Sequence, residues 1–153
     1  MRVFTGPPSG WTHDDQEHAV AIGVFDGVHR GHRAVFATLA EAADGRPLVA
    51  MTFSSHPDAV VAGRDEPPAL TTMERRLELF SEGGIHVAAF IDFDETTMRL
   101  SPEQFVEGYL VGGLAARVVA VGTGFRFGHG ASGTVDTLRL LGHQRGFEPV
   151  SYT

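Results

Sequence analysis

The sequence predicts an α/β fold: a doubly wound, Rossmann-like parallel sheet of about five strands with helices on both faces. Three observations point to it. Short apolar runs rich in Val, Ile, Ala and Phe recur along the chain, stretches with apolar residues at helical spacing lie between them, and glycine-rich turns follow the first and fourth runs. Strands that alternate with helical patterns in this way argue for βαβ units and hence for parallel pairing.

The chain of 153 residues, 42% hydrophobic and 20% charged, suits one domain with a single core. A net charge of −7 opposes broad binding to nucleic acid or to an anionic membrane surface, though not a local positive pocket. With no cysteine, disulfides, thiolate metal sites and cysteine nucleophiles are excluded. The N-terminal residues lack a secretory apolar region, and no apolar run approaches the ~18 residues of a membrane span, so a cytosolic setting is expected.

Residues 5–18 are rich in turn formers and acids and read as a leader loop, with Trp11 as a packing residue. Ala19–Phe25 reads as the first buried strand, broken at Asp26-Gly27. A helix follows with Val35, Phe36, Leu39 and Ala40 on one face. Such a strand-to-helix turn directs backbone N–H groups and a positive dipole end into the space above the strand, which is an anion site. Gly23, Gly27 and Gly31 allow close approach to the main chain, and His29 and His32 place two imidazoles there. A tight connection with solvated histidines is the bland alternative; the paired histidines and the Gly-Val-Phe-Asp-Gly lead favour phosphate chemistry.

Pro47–Phe53 is the second strand, and residues 54–68, rich in Pro and charge, form a loop at its carboxyl end. Residues 70–80 read as a capped helix with Met73, Leu77 and Phe80 inward, stopped by Gly83-Gly84. His86–Ile91 is the third strand. The acids Asp92, Asp94 and Glu95 after it read as a solvated loop leading into a helix rather than a metal site, and no metal site is expected on the protein. Ser101 and Pro102 open another helix with Phe105, Val106, Tyr109 and Leu110 inward. Arg117–Val121 is the fourth strand and runs into a second glycine-rich stretch, Gly122–Gly133. There Phe125 and Phe127 offer faces to a planar ring and Arg126 offers a guanidinium to phosphate; a glycine loop with aromatics tucked into the core is the alternative. A helix over Val135–Arg145 and a strand over Phe147–Tyr152 complete the order.

The segment Gly23-Val-Phe25-Asp26-Gly27-Val-His29-Arg-Gly31-His32 resembles the HxGH nucleotidyltransferases. Within them it fits every fixed position of the G-x-F-D-G-x-H-x-G-H pattern of the adenylyltransferase half of bacterial bifunctional riboflavin kinase/FMN adenylyltransferases, the FAD synthetases. Thr52-Phe53-Ser54-Ser55-His56-Pro57 is similar to the family's T-F-x-P-H-P, which lines the flavin side, with Ser55 in place of a proline. Val121-Gly122-Thr123-Gly124-Phe125-Arg126-Phe127-Gly128 is similar to V-G-x-[DN]-F-x-F-G, with Gly124 in place of the Asp or Asn that belongs to the nucleotide site. The family also carries an L-T-x-x-x-[KR]-x-x-L segment similar to the stretch from Leu70 to Phe80, a resemblance that makes Arg76 a candidate for more than a surface role.

The resemblance implies transfer of AMP from ATP to FMN, giving FAD and pyrophosphate. It implies His29 and His32 as catalytic groups and Gly23, Phe25, Asp26, Gly27, Gly31, Gly122 and Gly124 around ATP. It puts Phe53, Ser55, His56, Pro57, Phe125, Arg126 and Phe127 around the FMN acceptor, with Mg²⁺ arriving on ATP. The family's domain continues to an S-S-T-x-[IV]-R segment and usually to a riboflavin kinase domain. Residues 1–153 include neither, so either the chain is a piece or another subunit completes the site. Ser55 and Gly124 leave two other readings open: a paralogue that adenylylates a different phosphate-bearing acceptor, and a nucleotide-binding module without turnover. A fragment of a class I aminoacyl-tRNA synthetase shares the His-x-Gly-His idea but fits the acidic balance and short length poorly.

Overall fold

The computed structural model of the chain describes residues 1–11, 16–23, 25, 30–53, 73–92 and 94–152. They form one parallel sheet of six strands: β1 (Arg2–Phe4), β2 (His18–Ile22), β3 (Leu48–Phe53), β4 (Val87–Ile91), β5 (Ala116–Gly122) and β6 (Glu148–Tyr152). Their order across the sheet is β1-β4-β3-β2-β5-β6, and every pairing is parallel. The expected doubly wound sheet is therefore present, with one strand more than the sequence predicts. The extra strand, β1, lies in the N-terminal residues ahead of the expected leader loop. With only three residues, two of them exposed, it carries no apolar run to reveal it.

β2, β3 and β4 are buried along almost their whole length, as parallel strands covered on both faces must be. On one face lie α1 (Arg30–Ala42) and α2 (Met73–Glu82). There Val35, Phe36, Leu39 and Phe80 pack on Ala19, Ala21, Ala50 and Ala88, the small alanines making room for the large rings. A short helix, α3 (Glu95–Met98), follows β4. The other face is covered by α4 (Pro102–Phe105), its continuation Val106–Gly113 and α5 (Val135–Arg145). Phe105, Val106, Leu110, Leu114, Leu138 and Leu141 close over Val20, Ile22, Val49, Met51, Val119 and Val121. The inward set Phe105, Val106, Tyr109 and Leu110 is buried as the periodicity predicts, although Val106–Gly113 winds as the wider π-helix. Burial also pushes the Tyr109 phenol above its usual pKa.

Helix termini follow the local chemistry. Ser101 caps α4 in a reciprocal box with Gln104, with Pro102 in its first turn, and Thr134 does the same with Thr137 for α5, which ends at a left-handed Gly146. Asp94 caps α3, accepting from the Thr97 N–H at 2.9 Å. The expected helix-leading acidic loop is borne out in this cap. Bonds from the Thr97 backbone N–H and then its hydroxyl hold the Asp94 carboxyl below the usual carboxylate pKa.

Three expectations need correction. The first strand stops at Ile22, and Phe25 sits in the turn beyond it with φ 51°. Met73 is 47% exposed, whereas Arg76 is buried beside Leu79 and Phe80: the inward face of α2 is rotated from the Met73–Leu77–Phe80 stripe. The residues read as a leader loop are only partly irregular. His18 belongs to β2, where its ring is buried with Nδ1 2.7 Å from the Leu114 carbonyl. Trp11 packs between Phe4 and Tyr109, as a core aromatic does.

Candidate functional site

From β2 the chain winds outward through β3 to β4 on one side, then returns to β5 on the other side of β2 before reaching β6. The winding direction thus reverses between β2 and β5, and in open α/β sheets ligands bind in the crevice outside the carboxyl ends of the strands at such a point. Both glycine-rich turns singled out in the sequence leave the sheet there, one after Ile22 of β2 and one after Val121 of β5.

On the β2 side, the Gly23 amide still donates to Met51 O at 3.1 Å. Phe25 then turns back, its ring buried against Phe36 at 5.4 Å and Phe80 at 5.9 Å. A Cβ on Gly23 would lie 2.9 Å from that ring, which accounts for glycine at this position. Phe25 can therefore face a ligand only with its backbone. α1 opens at Arg30, so Gly31 and His32 fall in its first turn, and the helix N-terminus lies at the carboxyl end of the sheet. Asp26, Gly27 and His29 lie outside the described residues, as do Ser55, His56 and Pro57.

On the β5 side, the turn is closed by Phe125 N donating to Gly122 O at 3.0 Å. Phe127 and Gly133 then exchange two backbone hydrogen bonds, of 3.1 and 2.7 Å, folding the glycine stretch into a closed loop. The Phe127 ring is buried against Phe105, 5.7 Å away, and stacks on Phe125 at 5.5 Å. Phe127 is thus an anchor in the core, and the half-buried Phe125 is the ring that reaches a cleft of about 330 Å³. Thr123, Gly124, Phe125 and Arg126 form one wall of that cleft; Thr134, Val135, Asp136, Arg139 and Ser151 form the other. Arg126 is exposed and fixed by Nε donating to Ala131 O at 3.2 Å. Arg139 is held between Asp136 Oδ1 at 2.8 Å and Ser151 Oγ at 3.2 Å.

This second wall is missed in the sequence because its members lie on α5 and β6 and meet the loop only through the pairing of β5 with β6, in which Val121 stands opposite Ser151. The faint signal is Asp136 three residues before Arg139 in the opening turns of α5. Of the other expected residues, Phe53 ends β3 and packs partly buried on the core. Gly122 and Gly124 lie at the mouth of the β5 turn, where an added Cβ would meet nothing within 4 Å and neither φ is positive. The protein itself does not require glycine at these two positions; the open space beside them has room for a ligand.

Gly128 is the opposite case. Its φ is 79°, and a Cβ there would come within 2.8 Å of Pro102. Gly128→Ala is expected to lower stability by about 2–4 kcal/mol, from left-handed strain and overpacking together, while Gly122→Ala stays within about 0.5 kcal/mol of the parent. Thermal melts of the two variants check this, and equal melting temperatures would contradict the packing described.

Among the described residues, no group of three or more His, Cys, Asp or Glu is placed to hold a metal ion, and no helix is long and apolar enough to cross a membrane.

The family model described as FAD synthetase matches residues 11–152. A bifunctional riboflavin kinase/FMN adenylyltransferase of Escherichia coli (strain K12) is 35% identical over 134 residues, covering 86% of this chain and 43% of that protein. The protein of the same description from Bacillus subtilis (strain 168) is 35% identical over 129 residues, covering 82% and 40%. The chain therefore spans about two-fifths of the length of these curated relatives. Among solved structures, one described as a macrolide-efflux protein from Streptococcus pneumoniae superimposes with a TM-score of 0.84 at 21% identity, over 99% of this chain and 50% of that one. Pantothenate synthetase from Thermus thermophilus gives a TM-score of 0.60 at 13% identity, over 99% and 61%. These two likenesses speak to the fold alone.

Proposed function

Because the chain belongs to the FAD synthetase family, we propose that it transfers AMP from ATP to FMN, giving FAD and pyrophosphate. One observation carries the reading. The turn that leads into α1, with Gly31 and His32 in the first helical turn, and the glycine-rich turn that leads into the Phe125 cleft leave neighbouring strands at the same end of the sheet. A nucleoside triphosphate across that end would lay its phosphates at the positive end of α1 and its nucleoside toward Gly122 and Gly124.

The reaction asks for no covalent enzyme nucleophile. An oxygen of the FMN phosphate attacks the α-phosphorus of ATP in line. The bond from that phosphorus to the bridging oxygen breaks, and pyrophosphate leaves. In this proposal His29 and His32 hydrogen-bond the phosphates and steady the charge that develops on the bridging oxygen. An adjacent polyphosphate favours their protonated forms. The amides at the start of α1 add donors. Asp26 and Gly27 belong to this ATP side by the motif match, and Ser55, His56 and Pro57 to the acceptor side with Phe53. Phe125, Arg126 and Phe127 are assigned to the acceptor side by the same match, with the Phe127 ring stacked on Phe125 from the core.

Mg²⁺ is proposed to arrive on the phosphate oxygens, an arrangement that needs few protein ligands. The small-molecule partners are thus ATP and FMN, and the acidic balance argues against a nucleic-acid partner.

Incubating the purified chain with ATP, Mg²⁺ and FMN and following FAD by chromatography tests the reading: FAD formation supports it, and ATP binding with neither FAD nor pyrophosphate overturns it. A second reading keeps the chemistry and changes the acceptor. The departures from the resembling proteins at Ser55 and Gly124 motivate it. Intact ATP binding without FMN binding would select it.

A further inference from the structure

We infer that Arg139 is a specificity-determining residue of the Phe125 cleft, where together with Arg126 it selects ligands that carry a phosphate; the inference rests on the function proposed above. Arg139 lies on α5, in the wall of the cleft that faces Gly124 and Phe125. Its Nη1 donates to Asp136 Oδ1 at 2.8 Å and its Nη2 to Ser151 Oγ at 3.2 Å, so one residue of its own helix and one of β6 fix the guanidinium from two sides. Its side chain is 54% exposed and that of Asp136 90% exposed, and an ion pair so open to water adds little to stability. What the two contacts do is hold the guanidinium in one orientation beside the cleft.

An arginine carries five N–H donors and no acceptor. Arg139 spends two of them, on Asp136 and Ser151, and Arg126 spends its Nε on the Ala131 carbonyl; among the described residues neither has another partner. The remaining donors of both guanidiniums are left to a cleft whose charged lining is these two arginines and the single carboxylate of Asp136. Two cations against one anion make it locally positive in a chain of net charge −7, and such a cleft concentrates anions. The helix adds to this: Thr134, which caps α5, and Val135 and Asp136 of its first turn line the same cleft, so the positive end of the dipole meets it. The half-buried Phe125 ring lies in the opposite wall. An aromatic face beside two guanidiniums fits a nucleotide, with a flat ring system on Phe125 and phosphate oxygens taken by the planar forks. FMN and ATP both bring such a phosphate, and the test separates them.

The test measures binding of two pairs of probes, FMN with riboflavin and ATP with adenosine, to the full parent chain, Arg139→Gln and Asp136→Asn. Arg139 lies at the surface, so its replacement leaves the fold in place. Arg139→Gln is expected to weaken FMN or ATP by about three- to tenfold, the range for one charge-assisted hydrogen bond at a half-exposed group, while riboflavin and adenosine stay within about twofold. A loss for FMN puts the acceptor's phosphate in the cleft and a loss for ATP puts a phosphate of the donor there; either supports the inference. Asp136→Asn should move the same nucleotide the other way, tightening it by about two- to threefold, because the competing carboxylate is gone while Ser151 still holds Arg139. If the ion pair served only to hold α5 in place, both variants would weaken binding. FMN and ATP both within twofold of the parent in Arg139→Gln, riboflavin or adenosine falling in step with its phosphorylated partner, or Asp136→Asn weakening the nucleotide as Arg139→Gln does, each overturns the inference. No turnover is needed for these measurements. A parent that makes no FAD while Arg139→Gln loses a nucleotide selectively fails the proposed function alone, and a parent that makes FAD while Arg139→Gln binds all four probes unchanged fails the inference alone.

Discussion

Replacing His32 or His29 by alanine is expected to lower the rate of adenylyl transfer by about 10²- to 10³-fold each, the range found when one preorganised donor to a developing oxyanion is removed. The melting temperature should hardly move. His32 lies in the first turn of α1, and the apolar contacts that hold this helix to the sheet come from later residues, Val35, Phe36 and Leu39. Removing an imidazole therefore takes charge away from the proposed phosphate site while leaving the packing of α1 intact. Purified variants assayed for FAD under saturating ATP and FMN, alongside a circular dichroism melt, decide the matter. Rates like those of the parent in both variants would remove the assigned role and with it the proposed mechanism.

The largest stability effect is expected at Phe36. Its ring is 1% exposed and meets Phe25 at 5.4 Å and Phe80 at 5.9 Å, so three rings from α1, α2 and the turn after β2 form one cluster. Phe36→Ala is expected to cost about 3–5 kcal/mol, from lost transfer energy and the cavity left behind. At roughly 2–4 °C per kcal/mol for a chain of this size, the melting temperature should fall by about 6–20 °C. The same variant should weaken nucleotide binding even at temperatures where it remains folded, since the ring that supports Phe25 has gone. A fall of less than about 3 °C would contradict the packing, because it would place the loss below the range for a buried ring. Phe36→Leu, which keeps much of the volume, should lose less.

Much of the architecture is legible because parallel strands buried on both faces have to be apolar throughout. The stretches Ala19–Ile22, Leu48–Met51, Val87–Ile91 and Val118–Val121 meet that requirement without help from the rest of the chain. β1 escapes because an edge strand of three residues has little to bury. The wide turns of Val106–Gly113 leave the inward residues the same as an α-helix would, so the pattern could not tell one from the other.

At the candidate site, the two glycine-rich turns are visible because backbone chemistry is written in local residues. The second wall of the cleft is assembled by strand pairing and is not. Nor does a helical Arg76 differ in sequence from a solvated one: its burial is decided by the rotation of α2 against the sheet, which neighbouring apolar residues set jointly. Phe25 and Phe127 illustrate the same limit, since aromatic residues beside glycines fit a ligand surface and a core anchor equally well.

Phe25 holds a left-handed backbone, φ 51°, that a bulky residue adopts only under constraint. Here the constraint is the grip of Phe36 and Phe80 on its ring, so the kink is completed during folding and does not wait for a ligand. For the proposed ATP site, the Phe25 backbone is therefore set before the nucleotide arrives. The entropy of ordering Phe25 is then subtracted from the stability of the fold and not from the proposed association.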